Sequence, residues 1–196
     1  AAAELTPDDI IPSLFDGYDV FHIEGYLVQN HELIKKSVET AKQKGLQVSL
    51  DLASYNVVEA NFDFLHDLVK NHVDIVFANE EEAKAFTNKE PEEALNEMAK
   101  LCDIAIVKIG AKGSMVKKAN EQYLLKPYQS TCRDTTGAGD LYASGFLHGY
   151  VNNYSLETCG KLGSYLSSHI IKYIGPKFPE LVWKEIINEI KEIEKE

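Results

Sequence analysis

The sequence predicts an α/β fold built on a mostly parallel sheet with helices on both faces. Three observations predict it. Short apolar runs alternate with helical patterns through the first half of the chain. Helix-start signals follow those runs closely. The chemically informative residues Asn79 and Gly110, and the glycine turn at Gly137, fall just after strand-like segments, where parallel sheets bind ligands. No internal repeat, low-complexity tract or linker interrupts the pattern, so residues 1–196 read as a single domain or most of one.

In order along the chain, Thr6-Pro7-Asp8-Asp9 has the marks of a helix start, with Thr6 as N-cap, proline in the first turn and acids near the positive end. Val20 to Glu24 reads as a buried strand. Asn30 can cap a helix that places Leu33, Ile34, Val38 and Ala41 on one side and stops at Gly45. Gln47 to Leu52 is the next strand, followed by a helix over roughly Val57 to Asn71. Asp74 to Ala78 is a strand, Asn79 opens a helix and Pro91 begins another. Ile104 to Ile109 is a strand. Ser114 to Lys118 and Gln122 to Leu125 flank a hairpin turn at Ala119-Asn120-Glu121, and Gln129 to Arg133 is a candidate final strand. From Ala138 the chain is mostly helix, broken near Asn152-Asn153 and at Gly175-Pro176. The last helix has Val182, Ile186 and Ile190 on one face.

Composition narrows the function. With 31 acidic against 20 basic residues the net charge is −11, which disfavours nucleic acid and anionic membranes as partners. It leaves room for a small anion held by a few backbone amides and a cation. The three cysteines are widely spaced and form no CxxC pair, which suggests reduced thiols in a cytoplasmic protein. No apolar run spans a bilayer, and Ala1-Ala2-Ala3-Glu4 lacks the basic and apolar regions of a signal peptide. The six histidines show no HxxxH or HExxH spacing.

Three segments carry chemistry. In Asp134-Thr135-Thr136-Gly137-Ala138-Gly139-Asp140, small residues at a helix mouth leave backbone N–H groups open to an anion, reinforced by the helix dipole. Asp140 in the first helical turn is placed to accept a proton from a hydroxyl attacking a phosphoryl group. The plainer reading is a glycine turn with Asp140 complementing the dipole. Tyr142 stands where a dinucleotide fingerprint needs a small residue, and no GxxxxGK[ST] run is present. In Asn79-Glu80-Glu81-Glu82, Asn79 and Glu82 form a capping box or offer oxygen ligands suited to magnesium. Lys108-Ile109-Gly110-Ala111-Lys112-Gly113 is a glycine turn after a strand, and Lys112 either neutralises a phosphate or is simply solvated.

The DTTGAGD run leading into a small-residue helix resembles the C-terminal signature of the ribokinase-like, or PfkB, carbohydrate kinases. The resemblance implies a three-layer ribokinase-like fold and an ATP- and Mg²⁺-dependent transfer of a phosphoryl group to a hydroxymethyl group of a sugar or nucleoside. By that resemblance Asp140 is the catalytic base, and Gly137, Ala138 and Gly139 form the anion hole. Asn79 and Glu82 hold Mg²⁺ through water, and Lys108, Gly110, Lys112 and Gly113 line the nucleotide with Ser164. Asp134, Thr136 and Gly175 neighbour a monovalent cation such as K⁺. Lys108 departs from the family's usual Thr, Ser164 from Asn, and Pro179 from Ser. The phrases Phe21 to Leu27 and Val76 to Glu81 are similar to the bacterial adenosine-kinase-like branch.

The resemblance further implies a preceding segment with more strands, a β lid and most acceptor contacts, so the chain reads as the C-terminal part of such a protein. A non-catalytic nucleotide-binding or regulatory role is the alternative, and a homodimer stays open.

Overall fold

A computed structural model describes residues 4–195; the expectation drawn from Ala1–Ala3 about a signal peptide lies outside the described residues. The fold is a mixed six-stranded sheet with helices on both sides. The described residues divide into two compact units. One runs to Lys108 and includes Lys117–Glu121, and the other takes Ile109–Val116 and the chain from Gln122 onward.

The first unit is a parallel α/β layer. Its strands are β1 (Val20–Glu24), β2 (Gln47–Asp51), β3 (Ile75–Asn79) and β4 (Ile104–Lys108), side by side in chain order and all parallel. Parallel neighbours need crossovers, which α1 (His31–Gln43), α2 (Tyr55–Ala60), α3 (Phe62–His72), α4 (Glu80–Thr87) and α5 (Pro91–Met98) supply. Strand interiors such as Val48, Leu50, Val76, Phe77, Ile106 and Val107 are fully buried, as expected where both sheet faces are covered. The Asn30 side chain accepts from Leu33 N–H and starts α1, whose Leu33, Ile34, Val38 and Ala41 are all buried as their spacing predicts. Gly45 then turns the chain at φ 81°.

Two expectations in this unit are corrected. The helix expected over Val57 to Asn71 is two helices, broken at Asn61, which leaves helical geometry (φ −127°, ψ 27°) while its side-chain amide donates to the Val57 carbonyl. The Thr6 start yields only the 3₁₀ turn Pro7–Asp9. The Asp9 carboxylate accepts from Thr6 N–H and Oγ1, so the capping box forms without a helix to cap.

β5 (Ser114–Lys118) and β6 (Glu121–Leu125) are neighbours joined by Ala119 and Asn120, with Ala119 at φ 50°; a two-residue link makes them antiparallel. In the second unit α6 (Ala138–Val151) and α7 (Leu156–Ile170) pack along their length, and α8 (Trp183–Ile193) closes a core of Leu162, Tyr165, Leu166, Ile170, Phe178 and Ile186. Val182 and Ile190 pack against the same cluster, matching the face expected of the last helix. Gln129 to Arg133 is not a strand. Its backbone has no ladder partner there; instead Arg133 N–H donates to the carbonyl of Ile171, just past the end of α7, at 2.7 Å. The glycine turn at Gly137 therefore follows irregular chain. The second helix of this unit also ends at Ile170, earlier than Gly175.

Glycine sets how closely α6 approaches α7. A Cβ on Gly145 would lie 2.7 Å from the carbonyl oxygen of Leu162, a helix-backbone atom that cannot swing aside. Gly145→Ala is therefore expected to lower stability by about 1–3 kcal/mol despite alanine's better helix propensity. Ser144→Ala on the exposed side of the same helix should stay within about 0.5 kcal/mol, with chemical denaturation reading both.

Candidate active site

Two groups of residues, one in each unit, carry the candidate chemistry. In the first unit every strand ends on a polar residue: Glu24, Asp51, Asn79 and Lys108. The register pairs Glu24 with Asp51 and Asn79 with Lys108, so the parallel sheet lines up these strand ends at its carboxyl edge.

Lys108 Nζ lies 2.7 Å from Asp51 Oδ2, an ion pair whose side chains are 16% and 10% exposed. Asp51 Oδ1 accepts from Ala53 N–H at 2.9 Å and holds Ala53 in the left-handed region at φ 65°. Removing one partner of so shielded a pair would cost about 3–5 kcal/mol. Asp51 belongs to no sequence motif; its only signal was an acid closing a buried strand at the sheet's ligand-binding edge.

Asn79 and Glu82 form a complete capping box at the start of α4. Asn79 N–H donates to Glu82 Oε2 at 2.7 Å, the Asn79 amide donates to Oε1 at 2.5 Å, and Glu82 N–H returns to Asn79 Oδ1 at 2.9 Å. Glu82 is only 2% exposed. Burial pushes its carboxyl up to about 7; the Lys108 ammonium pulls it down, Asp51 pushes it up and the Asn79 amide pulls it down. The oxygens of this pair already accept N–H bonds from one another's residue, so the set suits a hydrated Mg²⁺ held through water, and a cation nearby would relieve the charge that burial disfavours.

In the second unit the Asp134 to Asp140 segment folds on the chain after α7. Asp134 Oδ1 accepts from Thr136 N–H and Oγ1, at 2.9 and 2.7 Å, and Oδ2 accepts from Gly175 N–H at 2.8 Å. The Gly175 amide first, then Thr136, holds the Asp134 carboxyl below its ordinary value. The structure thus gathers Asp134, Thr136 and Gly175 around one carboxylate, to which Thr136 and the Gly175 N–H donate. Gly137 caps α6 at φ 80°, and a Cβ on it would sit 2.7 Å from Pro176 Cβ, so only glycine fits. Ala138 N–H is committed to the Thr135 carbonyl, which leaves the Gly137 and Gly139 amides of this turn for an anion. Asp140 follows on the exposed side of α6.

The Gly110–Gly113 turn also belongs to this unit. Gly110 and Gly113 take φ 56° and 103°, and Ile109 N–H donates to the Gly113 carbonyl at 2.8 Å. Lys112 is exposed on it. Ser164, by contrast, is buried within α7 beside the Tyr142 hydroxyl.

Comparison with known proteins gives this geometry a context. A profile described as pfkB family carbohydrate kinase matches residues 1–183. A probable sugar kinase from Rhizobium etli CFN 42 superposes with a TM-score of 0.88 at 36% identity, over 95% of this chain and 58% of its own. An adenosine kinase from Sinorhizobium meliloti gives 0.88 at 32% identity, over 95% and 59%. A 5-dehydro-2-deoxygluconokinase from Bacillus licheniformis is 31% identical over 72% of this chain and 46% of its own length. The chain thus spans about half the length of the curated relatives it matches.

The raised Glu82 carboxyl has a consequence for stability. A folded value near 7 against an ordinary 4.5 means the folded state holds this proton more tightly. Its contribution is fully present below about pH 4.5 and is lost as pH rises through 7, by roughly 3 kcal/mol at about 1.4 kcal/mol per unit. Without divalent cation, the denaturation midpoint of the wild type should fall across that window. Glu82→Gln should flatten the fall; an equal slope in the variant would assign the titration elsewhere.

Proposed function

This chain belongs to the pfkB family of carbohydrate kinases, and on that premise we propose that the whole protein transfers the γ-phosphoryl group of ATP to a hydroxymethyl group of a sugar or nucleoside. The observation that carries the reading is Asp140, exposed in the first turn of α6 directly behind the left-handed Gly137 cap. The Asp140 carboxylate takes the acceptor hydroxyl's proton as that oxygen bonds to the γ-phosphorus and the bond to the departing ADP breaks. The proton is then released to solvent. The Gly137 and Gly139 amides and the dipole of α6 stabilise charge building on the transferring group.

In the other unit Lys108 supplies a fixed positive charge, held in place by Asp51, against which a phosphate can be balanced. Asn79 and Glu82 would hold Mg²⁺ through water, which supplies screening of the phosphate charges when ATP binds. Asp134, Thr136 and Gly175 would neighbour K⁺. Lys112 on its exposed turn supports a contact with the nucleotide. Kinases of sugars and nucleosides among the relatives, a 5-dehydro-2-deoxygluconokinase and an adenosine kinase, support this acceptor class. Three free cysteines support a cytoplasmic location. Nothing in these residues favours the non-catalytic alternative.

The test is ATP turnover by the whole protein against a panel of sugars and nucleosides. One acceptor should stimulate ADP release, and Asp140→Asn should lower kcat by about 10²–10⁴-fold while leaving the KM for ATP within a few fold. Full turnover in that variant would remove Asp140 from the role of base.

A further inference from the structure

Two residues beyond Asp140 on α6, Tyr142 is a buried titratable group that the mechanism does not use. A step of two residues turns about 200° around a helix, so the acid and the phenol occupy opposite sides. Asp140 is exposed and Tyr142 is 3% exposed. A ring in that position needs only apolar surroundings, and a hydroxyl buried there is costly unless it finds a partner. The Tyr142 hydroxyl has one in Ser114 Oγ, 2.7 Å away and 1% exposed.

Ser114 cannot easily yield. It follows Gly113, which is fixed at φ 103° with its carbonyl bonded to Ile109 N–H. A Cβ on Gly113 would stand 1.9 Å from the Leu125 carbonyl oxygen, so the turn is wedged against β6. Across α6 the phenol meets α7. A Cβ on Gly163 would lie 3.2 Å from the Tyr142 ring and 2.8 Å from its carbonyl oxygen, and Ser164 lies beside the hydroxyl. The ring therefore sits in a slot one glycine wide, with its polar end fixed to the Gly110–Gly113 turn. Burial holds the phenol well above its ordinary value, so it remains a neutral hydroxyl able to donate or accept.

We infer that Tyr142 is a positioning residue: its hydroxyl, bonded to Ser114, ties the Gly110–Gly113 turn to the N-terminal part of the helix that carries Asp140. The inference rests on the kinase reading above. It gives Ser114 and Tyr142 a shared role in nucleotide affinity that neither has by touching substrate. Loss of the bond lets the turn and the helix move independently, so its effect should fall on ATP and on the chemical step rather than on the acceptor.

The experiment compares the whole wild-type protein with Tyr142→Phe, Ser114→Ala and the double variant, using ATP and the acceptor found by the panel. Tyr142→Phe should raise the KM for ATP about three- to tenfold and lower kcat, with the acceptor KM unchanged. Ser114→Ala should do the same, and the double variant should be no worse than Tyr142→Phe alone, because both substitutions remove the Ser114–Tyr142 bond. Lower melting temperatures with unchanged kinetic parameters in the single variants would make the contact merely structural and overturn the inference. A wild-type protein that turns over no ATP with any acceptor would overturn this inference together with the kinase reading.

Discussion

A parallel sheet forces the ends of neighbouring strands onto one edge, and here that constraint assembles half of the chemistry. The interiors of β2, β3 and β4 are fully buried and, apart from Ser49, apolar, while their last residues are Asp51, Asn79 and Lys108. The ion pair between Asp51 and Lys108 spans the end of β3, where Asn79 begins α4. Glu82 follows within one helical turn, and its burial holds the carboxyl near neutrality. None of these groups needs a loop to place it, since backbone hydrogen bonds already fix the strand ends.

The other half is held by different means. The segment from Asp134 to Asp140 has no ladder and no side-chain cap. Its order comes from one carboxylate that accepts three hydrogen bonds, from the carbonyl of Ile171, and from a glycine pressed against Pro176. A larger residue at position 137 would meet both a forbidden φ and a proline, so the turn can close only with glycine. Asp134 thus organises the loop that presents Asp140.

Much of this was legible in the sequence, for identifiable reasons. The parallel layer was readable because its strands are nearly continuous apolar runs and its helices carry their own caps, as at Asn30 and Asn79. The glycine turn and Asp140 were readable because they are contiguous. Asp51 and Ser114 were not, because their partners Lys108 and Tyr142 lie 57 and 28 residues away and only folding brings them together. The strand expected over Gln129 to Arg133 failed because its backbone is satisfied by the end of α7, a tertiary bond with no local signal. The break at Asn61 is of the same kind: asparagine there bonds back to the preceding turn and competes with the helix.

The glycine turn at the mouth of α6 is the anion site on which the kinase reading turns. Calorimetric titration of Mg-ATP into the whole protein tests it most directly, comparing wild type with Gly139→Val. The substitution is expected to weaken ATP binding about tenfold or more while the protein still melts cooperatively. Unchanged affinity in the variant would contradict a phosphate-binding role for that turn.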